Sequence, residues 1–372
     1  MRFRKKTAVS SFFLGLFILV SLGVLRHVSK NPREYKKLLV DLGGAICAIP
    51  GFRVNDFSFL LNPNFTQNDG KTVTNFKKCR EICIPGYIIN NPHKCDNVTE
   101  VIVAVVSAPR NELERKTIRE TWGRHLESIS NSSVIFAFGK TSPENQRILR
   151  SEADTFGDLI QFQVEDRNFG IHTCKQLLVN DWIRDFCPGV AHILATDDDL
   201  YVNARHLVDF SRQNRGLRNA MLGYTSPQSM CRDKTQDLDD FPTYKYPYPV
   251  NARFIIQSVF YSRETALRLS RAADTANFWR MASDMYISGV LAEIAGIERK
   301  TNMRFAYLFG EYVLRNNFSD EFVRVAYKNA IVISHLSILM SPGAVHITPA
   351  MIYKIHGIFY PELTLDESPH MN

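Results

Sequence analysis

The chain has 372 residues, a formal net charge of +7 and 45% apolar residues, including 25 Phe and 14 Tyr. That composition supports one large packed domain or two ordinary ones and excludes an intrinsically disordered chain. The charge excess sits in residues 1–30, where Arg2, Arg4, Lys5, Lys6, Arg26 and Lys30 stand without an acid. Taking those six from +7 leaves +1 for the rest, which argues against a nucleic-acid-binding body and its clustered basic face.

Residues 1–7 form a short basic head. Residues 8–25 are an uncharged run of apolar and small side chains, just long enough to span a bilayer. The positive flank precedes the run, so the head is expected in the cytoplasm and the body across the membrane. No Ala-x-Ala-like cleavage pattern lies near Ser21 to Val24, so the run reads as a signal anchor rather than a cleaved signal peptide. Asn-x-Ser/Thr sequons at Asn64, Asn97, Asn131 and Asn317 fit a lumenal or extracellular body. The seven cysteines are Cys47, Cys79, Cys83, Cys95, Cys174, Cys187 and Cys231. They include no matched Cys-x-x-Cys pairs, which disfavours zinc. Cys79, Cys83 and Cys95 fall close together in a loop-rich stretch that reads as a disulfide-tied segment. The odd count leaves at least one thiol free or paired with another chain, and connectivity stays open. Residues 26–99, rich in Pro, Asn and Gly, read as a stem, with the three-cysteine segment as its end or as a cap on the following domain.

Near residue 100 the pattern changes. Strands are predicted at 101–106, 134–138, 159–164 and 190–195. They alternate with helices at 112–122, 144–156 and 172–186, the last ending at Cys187-Pro188-Gly189. This βαβ spacing predicts an α/β domain with a mostly parallel central sheet flanked by helices. No Gly-x-Gly-x-x-Gly or Walker sequence occurs, so the phosphates of a nucleotide would have to be held by metal and basic side chains. The fourth strand runs into Asp197-Asp198-Asp199, followed by Leu200-Tyr201-Val202. Adjacent carboxylates repel one another, and hard oxygen ligands suit Mg²⁺ or Mn²⁺ in the presence of a phosphate. The end of a strand is also where open α/β sheets bind ligands. An acidic turn that merely solvates the strand end is the plain alternative; the flanking apolar runs disfavour it. Further on, a helix is predicted at 204–213, a short strand at 221–224 and a long loop at 226–249 carrying Tyr244, Tyr246 and Tyr248. A strand at 254–261, helices at 263–273 and 282–295, and a strand at 330–334 ending at His335 complete the pattern. Asp284 lies in the first turn of its helix, where the dipole favours a carboxylate.

Five stretches stand out in order: Arg115-Lys116-Thr117-Ile118-Arg119-Glu120-Thr121-Trp122-Gly123, Thr173-Cys174-Lys175, Phe186-Cys187-Pro188, Thr196-Asp197-Asp198-Asp199-Leu200-Tyr201-Val202-Asn203 and Ser283-Asp284-Met285-Tyr286-Ile287-Ser288-Gly289. Together they resemble the β-1,3-glycosyltransferase family of the β-1,3-galactosyl- and β-1,3-N-acetylglucosaminyltransferase type. The resemblance implies a GT-A-like fold, with a catalytic domain at 100–340 and a C-terminal extension at 341–372. It implies inverting transfer of galactose or N-acetylglucosamine from UDP-galactose or UDP-N-acetylglucosamine to an acceptor glycan on protein or lipid. Mn²⁺ or another divalent cation would assist, in a single-pass type II Golgi membrane protein that could be a homo- or hetero-oligomer. Residue by residue, it implies Asp199 as a metal ligand with Asp197 or Asp198, one neighbouring Asp on the ribose, and His335 as a third ligand. Arg115, Arg119 and Lys175 would bind donor or build the site, and Asp284 would be the general base that an inverting transfer needs. Trp122 is expected in the core, whereas Trp279 and the loop tyrosines could stack on sugars or pack.

Three departures stand out. Ser283 replaces an acid, the Gly-rich segment is replaced at 251–258, and Ile171-His172-Thr173 replaces Asn-Leu-Thr. The first two motivate a rival expectation, a catalytically silent relative that binds glycan or a partner glycosyltransferase.

Overall fold

The structure is a computed structural model that describes residues 65–66, 72–73, 77–165, 172–225, 254–278, 283–305, 307–309, 319–335 and 347–364. The expected anchor at 8–25, the sequons at Asn64 and Asn317, the 226–249 loop and Trp279 lie outside them. Among the described residues no helix is long and apolar enough to cross a membrane.

Besides a two-stranded pairing of Phe65–Thr66 with Thr72–Val73, the strands from Tyr87 onward are, in chain order, β1 (Tyr87–Ile89), β2 (Val101–Val106), β3 (Ser133–Lys140), β4 (Leu159–Glu165), β5 (His192–Asp197), β6 (Tyr201–Val202), β7 (Ala220–Thr225), β8 (Ile255–Ser262), β9 (Glu298–Thr301), β10 (Tyr307–Phe309) and β11 (Val332–His335). Eight of them form one sheet in the order β9-β7-β8-β5-β2-β3-β4-β1. The central run β5-β2-β3-β4 is parallel, as the βαβ spacing predicts. β8 is antiparallel to both neighbours and β1 is antiparallel to β4, so the whole sheet is mixed.

Every residue of β2, Val-Ile-Val-Ala-Val-Val, is buried, because a central parallel strand is covered on both faces. Its side chains alternate between two cores. Ile102 and Ala104 join Leu177, Trp182 and Tyr286 on one face. Val101, Val103 and Val105 join Trp122, Leu207, Ile352 and Ile355 on the other. Each such aliphatic side chain contributes about 1.5–3 kcal/mol by leaving water.

The boundary expected at residue 100 divides what the fold joins. β1 adds an edge strand beyond β4. Disulfides Cys83–Cys174 and Cys95–Cys187 fasten its flanks near the two ends of the His172–Phe186 helix. The three clustered cysteines are therefore not tied to one another. Cys79 is buried and free, and burial pushes its thiol up to about 11 beside the Tyr286 hydroxyl. The bridges span 91 and 92 residues, a range in which cross-linking restricts the unfolded chain by roughly 4–5 kcal/mol in the chain-entropy picture.

The expected extension at 341–372 likewise holds a structural helix, Pro349–Phe359. It starts with Thr348 as N-cap and Pro at its first position, a recognised start signal. Its Ile352, Ile355 and Ile358 enter the second core.

Candidate active site

β5 is the centre of the site. Asp197 is its last residue, and the chain turns through Asp198 and Asp199 before re-entering β6. In the parallel neighbour β2, Val106 is the register partner of Asp197, so Ser107 emerges beside the acidic turn. Its hydroxyl donates to Oδ2 of Asp198 at 2.6 Å, and the Asn111 amide donates to the same oxygen at 2.9 Å. Asp198 is buried; burial pushes its carboxyl up, while those two hydrogen bonds draw it down. Asp199 is partly exposed and lines a cleft of about 260 Å³ with Asn111, Glu114, Asp198, Ile347, Thr348 and Pro349.

Asp284 approaches from the other side, immediately before a wide π-type turn, Met285–Leu291. π-type turns recur at functional sites. Its Oδ2 accepts the backbone N–H of Gln257 at 3.0 Å. Asp284 keeps some surface exposure, yet burial of its carboxyl pushes it up to about 6, against the lowering effect of the Gln257 N–H. Asp197 is raised well above the usual carboxylate range. Burial is the largest cause, then the charges of Asp199, Asp284 and Asp198, and Lys175 opposes them. Asp197 is thus the carboxyl on which the charges of the other three acids bear. Lys175 is fully buried, and its ammonium also donates to the Ser107 carbonyl at 3.0 Å.

Arg115 and Arg119 do share a helix face, as their spacing predicts. Both converge on buried Glu152. Arg115 grips it through Nε and Nη2 at 2.8 and 2.6 Å, and Arg119 donates to it at 2.7 Å while also pairing with Asp158. Arg115 further donates to the Ala108 carbonyl at 2.8 Å and the Ser107 hydroxyl at 3.3 Å. It thus ties the loop after β2 to the helix rather than presenting a free guanidinium. The helix breaks at Thr121 (φ −118°, ψ −112°). At Gly123 an added Cβ would lie 2.7 Å from the Ile118 carbonyl oxygen, which accounts for the small residue that closes the motif. Trp122 packs fully buried, as expected.

His335 ends β11, and its side chain lies outside the described residues. β11 runs antiparallel to β6, with Val332 opposite Val202 and Ile333 opposite Tyr201. The clustered carboxylates, with Lys175 as the named counter-charge, fit a hard divalent cation in charge and in donor chemistry. Among the described residues, though, no three His, Cys, Asp or Glu side chains are grouped closely enough to hold a metal ion. Asn97 and Asn131 are both exposed, and the Asn131 carbonyl accepts the N–H groups of Thr99 and Glu100, so these two sequons neighbour each other.

Sequence reasoning missed Ser107, Asn111, Gln257 and Glu152. Ser107 had a signal in hindsight, since it is the first polar residue after a buried strand parallel to the acidic one.

A galactosyltransferase family profile matches residues 113–303, just over half of the chain, and the chain belongs to that family. It is 30% identical over 237 residues to a lactosylceramide 1,3-N-acetyl-β-D-glucosaminyltransferase B of Xenopus laevis, covering 59% of this chain and 61% of the relative. It is 28% identical over 175 residues to the human β-1,3-galactosyltransferase 2, covering 43% of this chain and 41% of that protein. The chain thus matches less than two thirds of these relatives' length. Among solved structures, a galactosyltransferase LgtC bound to donor and acceptor sugar analogues aligns with a TM-score of 0.38 and 8% identity, covering 69% of this chain and 95% of that one. A likeness that distant carries no argument about this chain.

Proposed function

We propose that the chain is a β-1,3-glycosyltransferase that moves galactose or N-acetylglucosamine from a UDP-sugar to a hydroxyl of an acceptor glycan, with inversion. It would act in the Golgi lumen as a single-pass type II membrane protein. The observation that carries this reading is that Asp284 is bound to Gln257 of β8, the strand paired with β5, which itself ends in Asp197 and runs on into Asp198 and Asp199.

Inverting transfer needs one base for the acceptor hydroxyl and a separate means of stabilising the departing diphosphate. Asp284 takes the first task. With its carboxyl near 6 it is largely ionised at neutral pH and is a stronger base than an exposed carboxylate. Asp199 and Asp197, with His335, would hold Mn²⁺ or another divalent cation, which when bound neutralises charge on the diphosphate. Asp198, fixed by Ser107 and Asn111, is oriented to accept from a ribose hydroxyl. Lys175 offsets the charge at Asp197. Arg115 and Arg119 act through Glu152 and the loop after β2, setting the wall of the donor cleft.

The silent-relative reading rests on Ser283 and on the missing glycines at 251–258. Gln257 has a left-handed backbone (φ +61°), the region that glycine adopts most readily, and its N–H meets the Asp284 carboxylate. The test is a donor screen on the full chain in detergent with Mn²⁺, reading UDP release from UDP-galactose and UDP-N-acetylglucosamine with a panel of β-linked acceptor sugars. Turnover that Asp199→Ala abolishes is expected. No UDP release from either donor, or full turnover in EDTA, would sink the reading.

A further inference from the structure

We infer that the two-residue bulge Gln257-Ser258 in β8 is the positioning device that sets Asp284 against the Asp197 strand, with Gly223 as its seat. The inference rests on the reading of Asp284 as the base.

Between β8 and β7, Ile256 pairs with Tyr224 and Val259 pairs with Gly223. Gln257 and Ser258 are therefore extra residues without partners in β7. A bulge re-aims the groups it carries. Gln257 directs its N–H at the Asp284 carboxylate at 3.0 Å. The Ser258 hydroxyl is 2.7 Å from that of Thr196, the residue before Asp197. One short segment therefore touches the Asp284 carboxylate and the strand that ends in Asp197. Ser288 braces the same joint: its hydroxyl accepts the Ile255 N–H at 2.7 Å and lies 2.6 Å from the Asp284 carbonyl. Asp284 is thus held through its main chain by Ser288 and through its carboxylate by Gln257.

Gly223 makes the bulge possible. A Cβ there would fall 2.3 Å from Cγ2 of Ile255 and 2.6 Å from the Ser258 carbonyl oxygen. The second contact is with backbone, so relief requires β8 to move. The left-handed backbone of Gln257 disfavours most side chains and persists only where the surroundings fix it. Movement of about 1 Å in a reacting group can cost around 100-fold in rate. This relay acts on the proton-accepting arm and leaves the Ser107 and Asn111 contacts to Asp198 in place, so the turnover step should suffer more than donor binding.

The test uses the full chain with Mn²⁺ and UDP-galactose or UDP-N-acetylglucosamine. Gln257→Val should lower kcat about 10- to 100-fold with donor KM within about twofold, and replacement by glycine instead, which restores the left-handed backbone and the N–H, should rescue it. Gly223→Ala should reproduce the loss; should that variant not fold, the Gln257 pair decides. Independently of turnover, hydrogen exchange should find the Gln257 amide protected in the parent chain and exposed in Asp284→Ala. An unprotected Gln257 amide in the parent, or Gln257→Val with parental kcat, overturns the inference. Retained turnover in Asp284→Asn would instead sink the base assignment, even with the Gln257 amide still protected.

Discussion

The Ser107 hydroxyl donates to the Asp198 carboxylate across 91 residues of sequence, joining the end of the first parallel strand to the acidic turn at 2.6 Å. Arg115 and Lys175 meet the same serine, one near its hydroxyl and one at its carbonyl. Removing that hydroxyl leaves Asp198 with Asn111 as its remaining named donor. Ser107→Ala should cost about 1–2 kcal/mol of stability, the usual cost of an unmet buried hydrogen bond, and weaken UDP binding in the presence of Mn²⁺. Thermal melts and titration calorimetry measure the two effects. Unchanged values for both would remove Ser107 from the site.

Asp284 gives opposite predictions for rate and stability. Its carboxyl sits near 6 in the folded chain against an ordinary 3.8. The folded state therefore keeps this proton between roughly pH 4 and 6, where the unfolded chain has released it. The stabilising contribution is full below about pH 4 and lost as pH rises through 6. At neutral pH the ionised group is a net cost of about 1–2 kcal/mol, after allowing for its residual exposure. Asp284→Asn should raise the melting temperature by about 2–4 °C at pH 7.5 while lowering kcat by about 100- to 10,000-fold. The parental kcat/KM should climb with pH and reach half its plateau near pH 6. A profile flat from pH 5 to 7 would show that Asp284 is not the titrating base.

Asp199→Ala and chelation address the cation. Either should reduce UDP release by at least about 100-fold, the scale of losing one preorganised charge partner at a leaving group. Calorimetry of UDP with and without Mn²⁺ gives an independent reading. Equal UDP affinity in both would rule out a bridging cation.

Arg115 tests the buried ion pair. Arg115→Lys keeps the charge and loses the forked grip on Glu152, because an ammonium cannot reproduce that geometry. Breaking such a pair typically costs about 3 kcal/mol or more. Denaturant unfolding should register the loss, and donor KM should rise as the loop after β2 slackens. A variant as stable as the parent would contradict the fully enclosed Arg115 described above.

Much of the sheet was legible because burial leaves a simple trace. β2 is six consecutive apolar residues, and the acids stand out against two such runs. The joints were not legible. Ile255 to Tyr261 reads as one continuous strand, since nothing in a Gln-Ser pair announces a left-handed backbone and a shift of register. β9, Glu-Arg-Lys-Thr, is mostly exposed at the sheet edge, so it carries no apolar pattern to detect. The four-residue spacing of Arg115 and Arg119 sets both on one face, but their partner Glu152 lies on a separate helix, Pro143–Phe156, a contact that exists only after folding.

The two bridges dictate where this protein can be cut. A fragment begun at residue 100 would carry Cys174 and Cys187 as stranded thiols and would strip β4 of its covering strand. Bare edges invite pairing between molecules, and unpartnered thiols invite mixed disulfides. Such a fragment is expected to aggregate on expression although its acidic residues are all present in sequence. A workable expression boundary lies upstream of Lys77.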